Sequence, residues 1–412
     1  MEEDTISTVS SYQTIQTFAS EWTDCSNMSY SRFLKVFRSD SALHKEMLAI
    51  LAAITEVIKE NNGTESPGEY FCSLITTLEQ ILSSENENEV QVTAVCSLLN
   101  MGIKSVPEGI IKSTFNEIST KLLQILKQYS ESNNNVLVKS VFGILTVCLR
   151  TQDLGVWSNT NTQHIFSAIL NPFSLHTKPK WRKSAQLSIA SILKAECFQD
   201  NEKFNPAAGI VATFVEQTLD ACMGGNPNTV TITSVQAGQT TILHTLGLLK
   251  ETIGCFPKSH IKKCCETILR LLTLNYPLVS SCGLQVLHSL FSSQKAVMPA
   301  KLNGQLISAL YDYQPSPNDV QPTLAWLAVM QQAHIHLADV DAAMCCGVLP
   351  KIFTTITNLW LSEKVEIISA ATYTLDALLR DAAGPICETI ESVEQNKSKI
   401  AKCFNSIEAG LG

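Results

Sequence analysis

The sequence predicts an all-α protein, an α-solenoid (superhelix) of HEAT- or armadillo-like helical repeats of about 44 residues. Three observations predict it. The 412-residue chain holds only 18 glycines and 14 prolines, about 8% together, against roughly 12% in ordinary domains. Each β-hairpin needs turn formers, so this shortage excludes a many-stranded β protein. Charged residues make up 17% and hydrophobic residues 45% of the chain, which excludes wholesale disorder and predicts helices buried by neighbours. The third observation is that one apolar helical face recurs at nearly fixed spacing.

That face is clearest after Ser184, where Ala185, Ile189, Ile192 and Leu193 fall on one side of a helix. The same frame follows Ala49 (Ile50, Ile54, Val57, Ile58), Ala94 (Val95, Leu99, Gly102, Ile103) and Ser140 (Val141, Leu145, Cys148, Leu149). Comparable helices begin at Ala237, Ser281, Ala325 and Ser369. The steps between these eight anchors are 45, 46, 44, 53, 44, 44 and 44 residues. Nine positions after each anchor stands Ile58, Ile103, Leu149, Leu193, Leu246, Leu290, His334 or Leu378. A second helix fits between anchors, as in 114–130 and 260–274. One helical hairpin cannot bury its apolar face alone, so neighbours must stack. The small anchor is expected to let two helices approach closely, and an acidic residue there to disrupt the local stack.

The long step of 53 contains Gly224-Gly225-Asn226-Pro227-Asn228, which reads as a surface insertion. Residues 61–67, 130–135 and 314–319 read as loops. Residues 1–30 are expected to form a partly disordered N-terminal segment, and 31–412 one continuous array of about eight and a half repeats. Residues 386–410 then form the first half of a ninth unit, as in a fragment of a longer protein.

The net charge is −8, so contact with nucleic acid must be a local patch rather than a general basic surface. The 14 cysteines are irregularly spaced, mostly on apolar stretches such as those around Cys96, Cys148, Cys345 and Cys346, which suits buried thiols in a reducing compartment. The start Met1-Glu2-Glu3-Asp4 lacks the features of a signal peptide, and the apolar run 47–54 is too short to span a bilayer, so no membrane partner is expected. No Walker, dinucleotide-binding, nucleophile-elbow or HExxH motif is present, and the expected protein is not an enzyme and needs no cofactor or small-molecule substrate.

Four clusters could carry chemistry. Cys255, His260, Cys264 and Cys265 have zinc-ligand side chains but lack paired Cys-x2-Cys spacing, so a Cys-rich packed helix is expected and no metal is assigned. His334 and His336 are two apart and cannot share an ion from a regular helix; one should be half-buried and one exposed. Asp312 and Asp319, beside Tyr311 and Tyr313, read as a polar loop with Asn318 or Asp319 as N-cap and Pro322 in the first turn. The densest basic stretch is 176–183. Its Lys178, Lys180, Arg182 and Lys183 could hold phosphates while Trp181 stacks on a base, making these five the RNA-binding candidates. The competing reading is that they join adjacent repeats. Lys258, Lys262 and Lys263 form a weaker strip.

The stretches 37–58, 149–157, 176–186 and 255–274, and above all ALYDYQPSPNDVQPTLAWLAVMQQAHIHL at 309–337, resemble the ribosomal RNA processing protein 12-like family, N-terminal part only. The resemblance runs from about residue 15 to 410. It implies a HEAT-repeat factor of the nucleus and nucleolus, supporting pre-rRNA processing and nuclear export of pre-ribosomal, chiefly small-subunit, particles. The partners it implies are pre-ribosomal proteins, pre-rRNA and the Ran and exportin machinery. Such family members continue with further repeats and usually a basic C-terminal tail. Two alternatives are a karyopherin-like or other HEAT-repeat interaction scaffold, and an α/α-toroid enzyme, which would need a carboxylate-lined central pocket.

Overall fold

A computed structural model describes Tyr30, Phe33 and residues 37–84, 88–198, 204–223, 235–274, 276–293, 298–384 and 386. Residues 1–29, the 224–228 insertion and the ninth unit beyond Ile386 lie outside the described residues. Every regular element among those described is helical. The chain divides into two compact units, Met1–Cys197 and Phe198–Gly412.

In the first unit α1 (Ala42–Glu60), α3 (Glu89–Gly102), α5 (Asn135–Arg150) and α8 (Pro179–Leu193) carry the anchors. Between them run α2 (Pro67–Leu82), α4 (Glu108–Gln128), the single turn α6 (Leu154–Trp157) and α7 (Thr160–Phe173). The second unit alternates likewise: α9 (Ala207–Cys222), α10 (Val235–Thr252), α11 (Lys258–Leu272), α12 (Pro277–Phe291), α13 (Ala300–Asp312), α14 (Val320–Val340), α15 (Ala342–Leu359) and α16 (Val365–Leu378). All eight anchors fall in helices, and those helices pack in file: α1 on α3, α3 on α5 and α5 on α8, then α10 on α12, α12 on α14 and α14 on α16. This is the strongest packing in each unit, and the intervening helices form the second layer of each.

The start of α2 shows how sequence sets a boundary. Pro67 occupies the first turn, Ser66 Oγ accepts from the Glu69 N–H, and the Glu69 carboxylate accepts from the Ser66 N–H at 2.7 Å. This capping box, led by the Ser66 N–H, holds the Glu69 carboxyl down at about 2. Tyr30, the last residue of the expected N-terminal segment, is already core, its ring 5.5 Å from that of Tyr70.

The packed stripe is set by the fifth and ninth positions after each anchor. At +5 stand Ile54, Leu99, Leu145, Ile189, Ile242, Val286, Met330 and Thr374, and all eight are buried. The eight +9 residues are buried too. Four residues apart on a helix, these positions share one face. The expectation for the anchors themselves needs correction. Ala94 and Ser140 are buried, but Ser184, Ser281 and Ala325 are half-buried and Ala49 and Ser369 exposed. Nine residues at about 100° each bring +9 half a turn around from the anchor, so the anchor faces away from the stripe. Val57, expected in the stripe, is exposed on α1.

Polar side chains also link positions one repeat apart. Gln91 donates to Glu46 at 3.0 Å, Asn161 to Asn116 at 3.2 Å and Arg150 to Ser191 Oγ at 2.8 Å. In the second unit Ser362 donates to the Pro317 carbonyl at 3.5 Å.

His334 is the exception to the apolar +9 row. It is fully buried, while His336 is half-buried, so the expected exposed member of the pair does not exist. His334 Nδ1 donates to the Met330 carbonyl at 2.7 Å, and its Nε2 is buried without a partner among the described residues. Burial pushes its pKa down to about 4.

Two outcomes follow from the stripe. Ala94→Asp buries an unpaired carboxylate and should lower unfolding stability in urea by about 3 kcal/mol or more, whereas exposed Ala49→Asp should stay within about 0.5 kcal/mol. For His334, the unfolded chain binds the proton near pH 6.5 while the folded chain resists it until about pH 4. Stability therefore falls as pH drops through that window, by on the order of 3 kcal/mol, and is full above it. Denaturation at stepped pH should show that loss in the parent and its disappearance in His334→Leu.

Candidate functional site

The basic stretch enters α8, with Lys178 at the N-cap and Pro179 in the first turn. Its five candidates divide by environment. Trp181 is fully buried; its Nε1 donates to Asn135 Oδ1 at 2.9 Å, and its ring lies 4.9 Å from that of His176. Lys178 Nζ sits 4.1 Å above that indole and donates to the Ser132 carbonyl at 2.8 Å. Half-buried Arg182 donates to the His176 carbonyl at 2.7 Å. Burial, then the charges of Lys178 and Arg182, holds His176 below its ordinary value. Three of the five thus join the α8 repeat to the one before it or brace the turn leading into α8. The buried indole offers no face to a base. Lys180 and Lys183 are exposed, and only they present free cations from this stretch.

Asn135 and Ser132 belong to the turn entering α5, and that turn also reaches back to α3. Ser132 Oγ and Asn134 Nδ2 donate to the Glu89 carboxylate at 2.8 and 3.0 Å. Asn134 Oδ1 caps α5 by accepting from the Leu137 N–H. One short turn therefore holds three repeats in register. Sequence reasoning missed this hub because its partners lie a full repeat away on either side.

The larger opening lies elsewhere in the first unit. A cavity of about 760 Å³ is lined by α3, α5 and α8, their end turns and the start of α4, with Lys104, Lys139, Arg150, Ser184 and Leu187 among the lining side chains. Lys112 on its edge is engaged by Asp153 at 3.0 Å and Glu108 at 3.9 Å. Gly143 forms part of the floor, where a Cβ would collide with Asn100 Oδ1. None of these groove cations stood among the sequence candidates. The available signal was their register in the repeat rather than any local cluster. The second unit has a smaller opening of about 220 Å³ between α10, α12 and α14, lined by Lys250, His288 and Ala325.

The remaining clusters are structural. Cys255, Cys264 and Cys265 are buried, and burial pushes the Cys264 thiol up to about 12, away from the thiolate a metal requires. His260 Nδ1 lies 3.6 Å from Glu216. Among the described residues no group of three or more His, Cys, Asp or Glu side chains is placed to hold a metal ion. Lys263 pairs with Glu216 at 3.7 Å and Lys262 with Glu266 at 3.8 Å, which offsets the charge of the weaker strip. Asp319 takes the N-cap position of α14, though its side chain makes no cap bond, and Tyr311 packs 5.6 Å from Trp326 under Lys351. Helix α15 is long and apolar enough to cross a membrane, but it contains Pro350 and packs one face on α14 and α16.

Alternating helices packed in file, with bonds at one-repeat separation and an open groove along the anchor helices, define a HEAT-repeat protein. Residues 16–298 match the family described as RRP12-like, N-terminal HEAT repeats, and the chain belongs to that family. It is 37% identical to an RRP12-like protein of Gallus gallus over all of this chain and 31% of that protein. It is also 37% identical to an RRP12-like protein of Homo sapiens, over 96% of this chain and 30% of that one. Identity to Ribosomal RNA-processing protein 12 of Saccharomyces cerevisiae is 22%, over 87% of this chain and 32% of the yeast protein. The chain thus spans about a third of the length of these relatives.

The division of the basic stretch can be measured. Trp181→Phe leaves a cavity where the buried indole packs and removes its bond to Asn135, and should cost about 1–3 kcal/mol in chemical denaturation. Lys180→Glu with Lys183→Glu, both at exposed positions, should change stability by no more than about 1 kcal/mol.

Proposed function

We propose that this chain is a non-enzymatic scaffold in ribosome biogenesis, supporting pre-rRNA processing and nuclear export of pre-ribosomal, chiefly small-subunit, particles. Its family membership over most of the chain is the observation that carries the reading, together with the yeast relative, a ribosomal RNA-processing protein by name. On this reading the protein works in the nucleus and nucleolus. Its partners are pre-ribosomal proteins, pre-rRNA, and the Ran and exportin machinery. The fold suits that work because packed hairpins offer area for many separate contacts rather than one enclosed pocket.

Direct RNA contact, where it occurs, falls to Lys180 and Lys183, with Lys178 and Arg182 beside them and Trp181 as their buried support. Such contact is electrostatic and carries no base readout. Crosslinking followed by sequencing of bound RNA should recover pre-rRNA above background from the parent chain. Lys180→Glu with Lys183→Glu should weaken binding uniformly across sequences and reduce the salt slope by about 2. Recovery at background would remove the direct RNA role and leave a protein-binding scaffold.

A further inference from the structure

The tenth position after each anchor holds a cation in all four repeats of the first unit: Lys59, Lys104, Arg150 and Lys194. The same position in the second unit holds Gly247, Phe291, Ile335 and Leu379. A helix C-terminus does not by itself require a cation here, because α12 and α16 end at or one residue before this position and place Phe291 and Leu379 there, while α10 and α14 run on five residues further. Lys104 and Arg150 line the 760 Å³ groove, where Lys139 joins them. Lys104 and Lys194 are exposed and have no ion-pair partner among the described residues. Arg150 directs one guanidinium nitrogen at Ser191 and meets no carboxylate there. Lys59 is partly offset by Glu65 at 3.8 Å.

We propose that this groove binds an extended acidic segment of a partner protein, with carboxylates recurring at every third residue. Packed helices lie about 8–10 Å apart. An extended chain advances about 3.3 Å per residue, so three residues match one repeat step. The lining favours peptide over nucleic acid. Glu108, Asp153 and Glu196 interrupt the groove cations, so a continuous phosphate backbone meets repulsion between them, whereas a peptide with neutral residues between its carboxylates can place N–H donors there. The groove's only aromatic ring, Phe142, is buried, so no platform exists for base stacking. Leu187 is 49% exposed beside Ser184, Ser188 and Ser191, and gives an apolar contact for a side chain between the carboxylates. The proposal rests on the first unit alone and does not depend on the ribosome-biogenesis reading.

The test is fluorescence anisotropy with the full chain and a synthetic peptide carrying Glu at every third position with Ser and Leu between. An otherwise identical Gln peptide and a single-stranded polyuridine oligonucleotide serve as competitors. The Glu peptide should bind about tenfold more tightly than the Gln peptide, with the difference shrinking as salt rises. Lys104→Glu with Lys139→Glu, at exposed groove positions that leave the fold intact, should abolish that difference, whereas Lys262→Glu should not. Lys104→Gln with Lys139→Gln provides a milder second variant with the same expected direction. Equal binding of the two peptides, unchanged binding by both groove variants, or tighter binding of the oligonucleotide at these cations would each overturn the proposal.

Discussion

The structure depends on one constraint: an amphipathic hairpin has more apolar surface than it can cover. Each anchor helix resolves this by pressing a stripe of residues, four apart, against its neighbours. Burying one such Leu or Ile side chain contributes about 1.5–3 kcal/mol. The stripe is continuous through α1, α3, α5 and α8 in one unit and through α10, α12, α14 and α16 in the other. Everything else in the fold is arranged around keeping that file in register. His334 shows how tolerant the stripe is of chemistry and how intolerant of charge. An imidazole fits where the other repeats place Leu or Ile, provided it stays neutral and donates to Met330.

Apolar contact alone does not fix register, because one greasy stripe can slide along another. The polar turns supply what the stripe lacks. The Ser132–Asn135 turn is bonded backward to Glu89 and forward to Lys178 and Trp181, so a slip in either direction would strand the buried Trp181 N–H and break several part-buried bonds. The cost of an unmade buried hydrogen bond, about 1–3 kcal/mol, exceeds the net contribution of a made one. Such turns therefore discriminate between registers more than they add to stability.

The period was legible in sequence because it is a sum over many weak positions. Eight helices with the same small-then-apolar frame survive substitutions at any one of them, including Thr374 and His334. What the frame could not convey is which side of each residue meets a neighbour. The anchors were expected at the close contact, yet they lie half a turn from the +9 residues, and of the seven whose burial is described Ala94 and Ser140 alone are buried. Trp181 shows the same limit. A tryptophan among four cations reads locally as a nucleic-acid patch, but its partner Asn135 stands 46 residues away. The groove cations were illegible for the opposite reason. Lys104, Lys139 and Arg150 form no local cluster and become neighbours only when the repeats are superimposed.

Position within the repeat therefore separates structural from exposed chemistry better than local composition does. Residues at +5 and +9 are committed to the stripe in every repeat, so variation there is limited to what a dry contact accepts. The +10 position lies one step beyond the stripe, at or near the end of the anchor helix in the first unit, and differs between the units while the file is kept. The two units make different use of that freedom: the first places a cation there four times, the second never does. The two units thus share one buried pattern and differ at the position beside it. In the first unit, residues at that position are not the ones that hold the helices together, so exposed chemistry can vary there without cost to the stripe.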